Sequence, residues 1–126
     1  MTERVTMQAA IGQGDAFVSA LARKSADGLR DAFSASVRFR GLTPGRAWEA
    51  DNREDAVNIL LGCWFEPTDH IDELVSHDVH AVADRVAIRY CLKVRNDEGL
   101  FLVEQQGYLI LADDGRIADA AIVCSG

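Results

Sequence analysis

The most constraining feature of the chain is a strict two-residue alternation from Val86 to Arg95. Val86, Ile88, Tyr90, Leu92 and Val94 share one parity; Ala87, Arg89, Cys91, Lys93 and Arg95 share the other. Successive side chains of an extended chain point to opposite faces, so this run predicts a strand with one face on a core. Asn96-Asp97-Glu98-Gly99 follows as a hairpin turn, with Gly99 free to take positive φ. Phe101 to Leu111 is the returning strand, Asp113-Asp114-Gly115 a second turn, and Ile117 to Cys124 the last strand. Ile71 to Val82 reads as a strand ahead of this meander.

The first half of the chain has a helical period instead. Gly12 and Gly14 punctuate its start, and Asp15 is placed to cap a helix running to about Lys24, with Phe17 and Leu21 one turn apart. Ser25 caps a second short helix carrying Leu29, Ala32 and Phe33. Val37 to Arg40 predicts a short strand, Gly41 to Gly45 a loop, and Arg46 to Ala50 another short strand. Asp51 and Glu54 make a capping-box variant for a third helix that runs to about Phe65. Val57, Leu61 and Trp64 form its apolar stripe, and Pro67 ends it. Helices followed by an antiparallel meander predict an α+β fold, with the helices on one face of a bent sheet.

Composition narrows the function classes. The 126 residues suit one domain, residues 1–126, with 48% hydrophobic residues and a formal charge of -7. That charge argues against nucleic acid, whose binding needs a basic face. No apolar run reaches the ~18 residues of a membrane span. Met1 to Thr6 lack the apolar core of a secretory signal. Cys63, Cys91 and Cys124 form no C-x-x-C and sit among apolar neighbours, as expected of free thiols in a reducing, cytoplasmic protein. His77 and His80 are three apart on a strand and face opposite ways, while His70 and His80 are about 33 Å apart along it. No metal site and no cofactor is expected.

Several stretches carry a family resemblance. They are Asp15 to Leu21, Asp27 to Phe33 with the strand and Pro–Gly loop after it, the capped helix ending Cys63-Trp64-Phe65, and Asp78 to Ala87 feeding the meander. In this order they resemble the nuclear transport factor 2-like (SnoaL-like) superfamily over nearly the whole chain. The resemblance implies a cystatin-like cone, a curved and mostly antiparallel sheet wrapped around three N-terminal helices, with an apolar pocket inside. Such domains include polyketide cyclases, dehydratases, ketosteroid isomerases and non-catalytic binding or dimerisation modules, so the fold does not choose among them. Isomerase-like members place a Tyr on helix one, a base Asp on the first strand and a protonated Asp on the penultimate strand. The matching positions here are Phe17, Arg40 and Gln106, none of which supplies that chemistry near neutral pH.

The resemblance makes Phe17, Arg40, Trp48, Trp64, Tyr90, Gln106 and Tyr108 the expected ligand-binding residues. Arg38 and Arg40 share a strand face, turned either to the pocket or to solvent, and one of Gln105 and Gln106 faces inward. His80, Tyr90, Asp69 and His70 are the candidates for a catalytic role. The expected function is a pocket for a small apolar or aromatic metabolite, with cyclase or dehydratase chemistry within the family's range. The alternative is a non-catalytic homodimeric module. Leu102, Tyr108 and Ile110 oppose Phe101, Val103, Leu109 and Leu111, so the late strands are apolar on both faces. Helices can cover only one face, which predicts a homodimer through the other.

Overall fold

A computed structural model describes residues 6–125. The reading of residues 1–5 as free of a signal lies outside them. Helix α1 spans Met7–Ala22 and α2 Ala26–Ala32; strand β1 spans Phe33–Thr43 and β2 Arg46–Ala50. Helix α3, Arg53–Val57, continues as a π-helical segment over Asn58–Cys63. Strands β3 (His70–Val82), β4 (Arg85–Asn96), β5 (Gly99–Leu111) and β6 (Ile117–Cys124) complete the chain. The sheet order is β2-β1-β6-β5-β4-β3, with only the β1–β6 pair parallel.

The meander follows its sequence pattern. The five residues of one β4 parity are at most 3% exposed, and Gly99 and Gly115 take positive φ at the two turns. Helices and core lie on that side. Phe33, Val37 and Phe39 of β1, Leu109 of β5, and Ile117, Ala120 and Ile122 of β6 join it, together with Phe17, Leu21, Leu29 and Leu60 from the helical layer. No helix among the described residues is long and apolar enough to cross a membrane.

The helical half departs from expectation at its ends. α1 begins eight residues before Asp15, where the Thr6 hydroxyl accepts from the Ala9 N–H at 3.0 Å. Asp15 is an exposed mid-helix residue. Gly14 is not a breaker but a contact point: a Cβ there would lie 2.6 Å from Val79 Cγ1. Its absence lets α1 lie close on β3. Ser25 caps α2 as expected, accepting from the Gly28 N–H. For α3 the cap is Asn52 rather than Asp51, accepting from the Asp55 N–H at 2.8 Å. Glu54 does not reach back but pairs with Arg30 at 3.0 Å. The π segment shifts the helical period, burying Ile59 and Leu60 and leaving Leu61 half-buried.

β1 is longer than the expected Val37 to Arg40, because its pairing with β2 and β6 carries it through to Thr43. The loop read over Gly41 to Gly45 shrinks to a Pro44-Gly45 turn. β3 is an edge strand with two register shifts, at Ile71/Glu73 and Leu74/Ser76. Such bulges blunt an edge that would otherwise template another strand.

Candidate functional site

The residues expected to line one pocket divide between the two faces of the sheet. Inside, the Tyr90 hydroxyl donates to Gln105 Oε1, and Gln105 Nε2 donates to Cys124 Sγ at 3.4 Å. All three are buried. Phe17 packs against this group, its ring centroid 6.5 Å from that of Tyr90 and 5.8 Å from that of Phe33. Burial pushes the Tyr90 hydroxyl well above its ordinary range, and the neighbouring Cys124 adds to the effect. Tyr90 therefore stays a neutral donor, and the polar atoms of Tyr90, Gln105 and Cys124 satisfy one another.

Strand parity decides the remaining inner positions. In β1 the inward residues are Val37 and Phe39, both fully buried, so Arg38 and Arg40 face out. Arg40 pairs there with Asp119 at 3.2 Å. In β5 the inward amide is Gln105, and Gln106 faces out. The inner face of β1 and β5 thus presents Phe39, Gly41 and Gln105, none of them a carboxylate. Trp64 fills the space beside Gly41: a Cβ on Gly41 would overlap its indole, and its ring stands 5.8 Å from that of Phe39. Trp64 Nε1 is buried with no hydrogen-bond partner. Trp48 is held in the β1–β2 hairpin, its Nε1 donating to Thr43 Oγ1 at 2.8 Å and its ring stacked under Arg46.

Asp69 and His70 lie apart from both groups, at the entry to β3. The Asp69 carboxylate accepts from the Glu66 N–H at 2.8 Å and from Asn96 Nδ2 at 2.9 Å, while Lys24 Nζ donates to the Asp69 carbonyl. Partial burial opposes its charged form, but these two hydrogen bonds, aided by the Lys24 and His70 charges, hold its carboxyl below the usual range. This is a clip on the loop ahead of β3. His70 is exposed.

The outer face carries a groove of about 640 Å³. Cross-strand register sets its lining in two rows. One row runs Glu49, Arg40, Ala121, Tyr108, Ala87, His80 across the six strands. The other runs Ala47, Leu42, Val123, Gln106, Arg89, Asp78. The groove thus gathers four of the expected residues, Arg40, His80, Gln106 and Tyr108, and touches Trp48. Leu42, Tyr108 and Val123 are 53%, 50% and 47% exposed. Sequence reading missed Leu42, Asp78, Arg89 and Val123, although each shares its strand's outward parity. His80 Nδ1 lies 3.3 Å from Asp78 Oδ2. Ala87 separates His80 from Tyr108 in the row, so their backbones sit two strand spacings, about 10 Å, apart. Among the described residues no group of three or more His, Cys, Asp or Glu could hold a metal ion.

No family model matches the sequence, and no curated protein matches it. Solved structures do match. An LEH-like epoxide hydrolase from M. tuberculosis superposes with a TM-score of 0.71 at 16% identity, covering 94% of this chain and 84% of that one. AusH from Aspergillus nidulans superposes with a TM-score of 0.76 at 15% identity, covering 98% and 88%. A ketosteroid isomerase-like protein from Erwinia carotovora atroseptica does so at 0.67 and 14%, covering 95% and 96%. Three helices packed on one face of a six-stranded curved sheet, superposing on such structures over nearly all of their length, give this chain the fold of the nuclear transport factor 2-like (SnoaL-like) superfamily.

Proposed function

We propose that the protein is a homodimeric binding module whose working surface is the outer face of the sheet, where a second copy docks. The observation that carries this reading is the groove. Leu42 and Val123 are register partners on β1 and β6, and Tyr108 stands in the next row on the adjacent β5, all half-exposed, while the inner face is already covered by helices. A sheet apolar on both faces gains by covering the second one. The lining is also charge-balanced: Arg40 and Arg89 stand against Glu49 and Asp78, in a chain whose net charge is -7. A face carrying equal numbers of both signs can meet its own copy, as a two-fold interface requires. Six strands spaced by about 4.8 Å, carrying two rows of outward residues ~6.8 Å apart, make a face of about 400 Å². That is about half of the roughly 800 Å² per partner of a standard interface. The packed interior, with Phe17 and Gln105 fully buried, supports a role that does not use the cone as a reaction chamber. The free thiols suit a cytoplasmic setting.

Sedimentation equilibrium across a wide concentration range tests this. The expected result is twice the 13.8 kDa chain mass, returning to one chain mass in Leu42→Asp with an unchanged circular dichroism spectrum. A single-chain mass at every concentration overturns it. The second reading, a site for a small apolar or aromatic ligand, is favoured by the groove's volume, which lies within the roughly 300–1,000 Å³ of small-molecule sites. In that reading Tyr108 and Leu42 supply the apolar wall, and Arg40, His80 and Gln106 the polar contacts.

A further inference from the structure

Of the two indoles in the chain, only one is satisfied. Trp48 Nε1 donates to Thr43 Oγ1, whereas Trp64 Nε1 is buried without a partner. A buried donor without an acceptor costs free energy that the same group recovers in water. The Trp64 ring nevertheless lies in a fitted place. Its outer edge rests on Gly41, where a Cβ would lie 2.8 Å from Cη2, and its centroid is 5.8 Å from that of Phe39 at an interplanar angle of 55°. Gly41 does not take positive φ, so its missing Cβ serves the ring and not the backbone. The chain around Trp64 is pinned. Its own N–H bonds to the Ile59 carbonyl at 2.9 Å, Phe65 is buried under Lys24 Nζ, and the Glu66 N–H bonds to Asp69 Oδ2. Gly62 and Cys63 are exposed, and Trp64 itself is only partly covered, so the side chain borders solvent. We infer that the Trp64 indole is a plug in a slot on the inner face of β1, that the slot takes a flat, uncharged aromatic ligand, and that it opens by rotation of this one side chain.

The occupant in place defines the ligand. The slot holds an indole between the Gly41 backbone and the Phe39 ring, so it suits two fused aromatic rings. The indole N–H finds no acceptor there, so a ring system without a donor fits the same space at lower cost. Arg38 and Arg40, on either side of Phe39, lie on the opposite face of β1 and offer a charged ligand no partner in the slot. Rotation outward loses the contact with Phe39 and returns the orphaned N–H to water. The two changes oppose each other, and a ligand has to supply only the difference. The slot lies on the face opposite to the proposed dimer contact, so neither depends on the other.

Naphthalene, two fused rings without an N–H, is the probe. In nuclear magnetic resonance spectra each indole N–H gives its own peak, and Trp64→Ala assigns that of Trp64 by removing it. Gly41→Ala sets a methyl where the ring edge lies. The ring should be driven out, so the Trp64 N–H should exchange with solvent severalfold faster, while that of Trp48, bonded to Thr43, stays as it was. Naphthalene should shift the Trp64 peak of the parent saturably toward its position in Gly41→Ala. By equilibrium dialysis, Trp64→Ala should bind naphthalene about tenfold or more tighter than the parent, because a site open in about a tenth or less of the molecules binds more weakly by that fraction. Circular dichroism monitors the fold, and Trp64→Leu takes the place of Trp64→Ala should that variant not fold. A Trp64 N–H as protected in Gly41→Ala as in the parent overturns the plug. A parent peak that ignores naphthalene, or equal affinity in the parent and the emptied variant, overturns the slot as a ligand site.

Discussion

At the scale of single residues, the interior turns on three buried residues with polar groups, Tyr90, Gln105 and Cys124. Gln105 is fully buried, and its amide is satisfied only because Tyr90 donates to its oxygen and Cys124 accepts from its nitrogen. Removing one partner of a buried hydrogen bond costs more than the bond's net worth, since the orphaned group stays desolvated. Tyr90→Phe should therefore destabilise the fold by about 1–3 kcal/mol, seen as a lower urea midpoint at unchanged slope. A variant as stable as the parent would mean that Gln105 finds another donor. Which glutamine points inward was not legible in the sequence. Gln105 and Gln106 are adjacent and have apolar residues of both parities around them, so only the register against β4 and β6 separates them. The direction of Arg38 and Arg40 was likewise left open by the sequence, and the structure decides it by burying Val37 and Phe39 between and beside them.

At the scale of elements, strands were read more closely than helices, for a physical reason. β2 and β6 begin and end where the sequence predicts, since turn residues and parity mark both ends of a strand. The local sequence makes helix α1 too short, since glycine reads there as punctuation, whereas Gly14 serves a tertiary contact that local sequence cannot show. Two substitutions of opposite sign follow. Nothing lies within 4 Å of a Cβ on Gly12, so Gly12→Ala should stabilise the protein by about 0.5–1 kcal/mol through helix propensity. Gly14→Val must displace Val79 and Val86 and should cost about 1–3 kcal/mol. Thermal unfolding of the two variants should move the midpoint in opposite directions; a shift of the same sign in both would contradict the contact assigned to Gly14. The π segment over Asn58–Cys63 had no sequence signature.

For the whole molecule, charge and apolar surface make opposing demands. Two copies each carrying -7 repel one another at long range, while the face where they would meet holds as many arginines as carboxylates. The repulsion is spread over exposed acids such as Asp27, Asp31, Asp97, Asp113 and Asp114, away from the groove. Salt screens these distant charges strongly, because the Debye length falls to about 10 Å at 0.1 M and to 3 Å at 1 M. Contacts desolvated inside an interface are screened much less. Dimerisation should therefore strengthen as salt rises from about 0.01 M to 0.3 M, the opposite of an interface built on attraction between a basic and an acidic surface. Because a dimer unfolds to two chains, its thermal midpoint should also climb with protein concentration, and more steeply at the higher salt. Midpoints measured over a hundredfold range of concentration at both salt levels test this together. If the midpoint ignores concentration, the outer face is not occupied by a second copy. If association weakens with salt, the contact is held by its charges rather than by Leu42, Tyr108 and Val123.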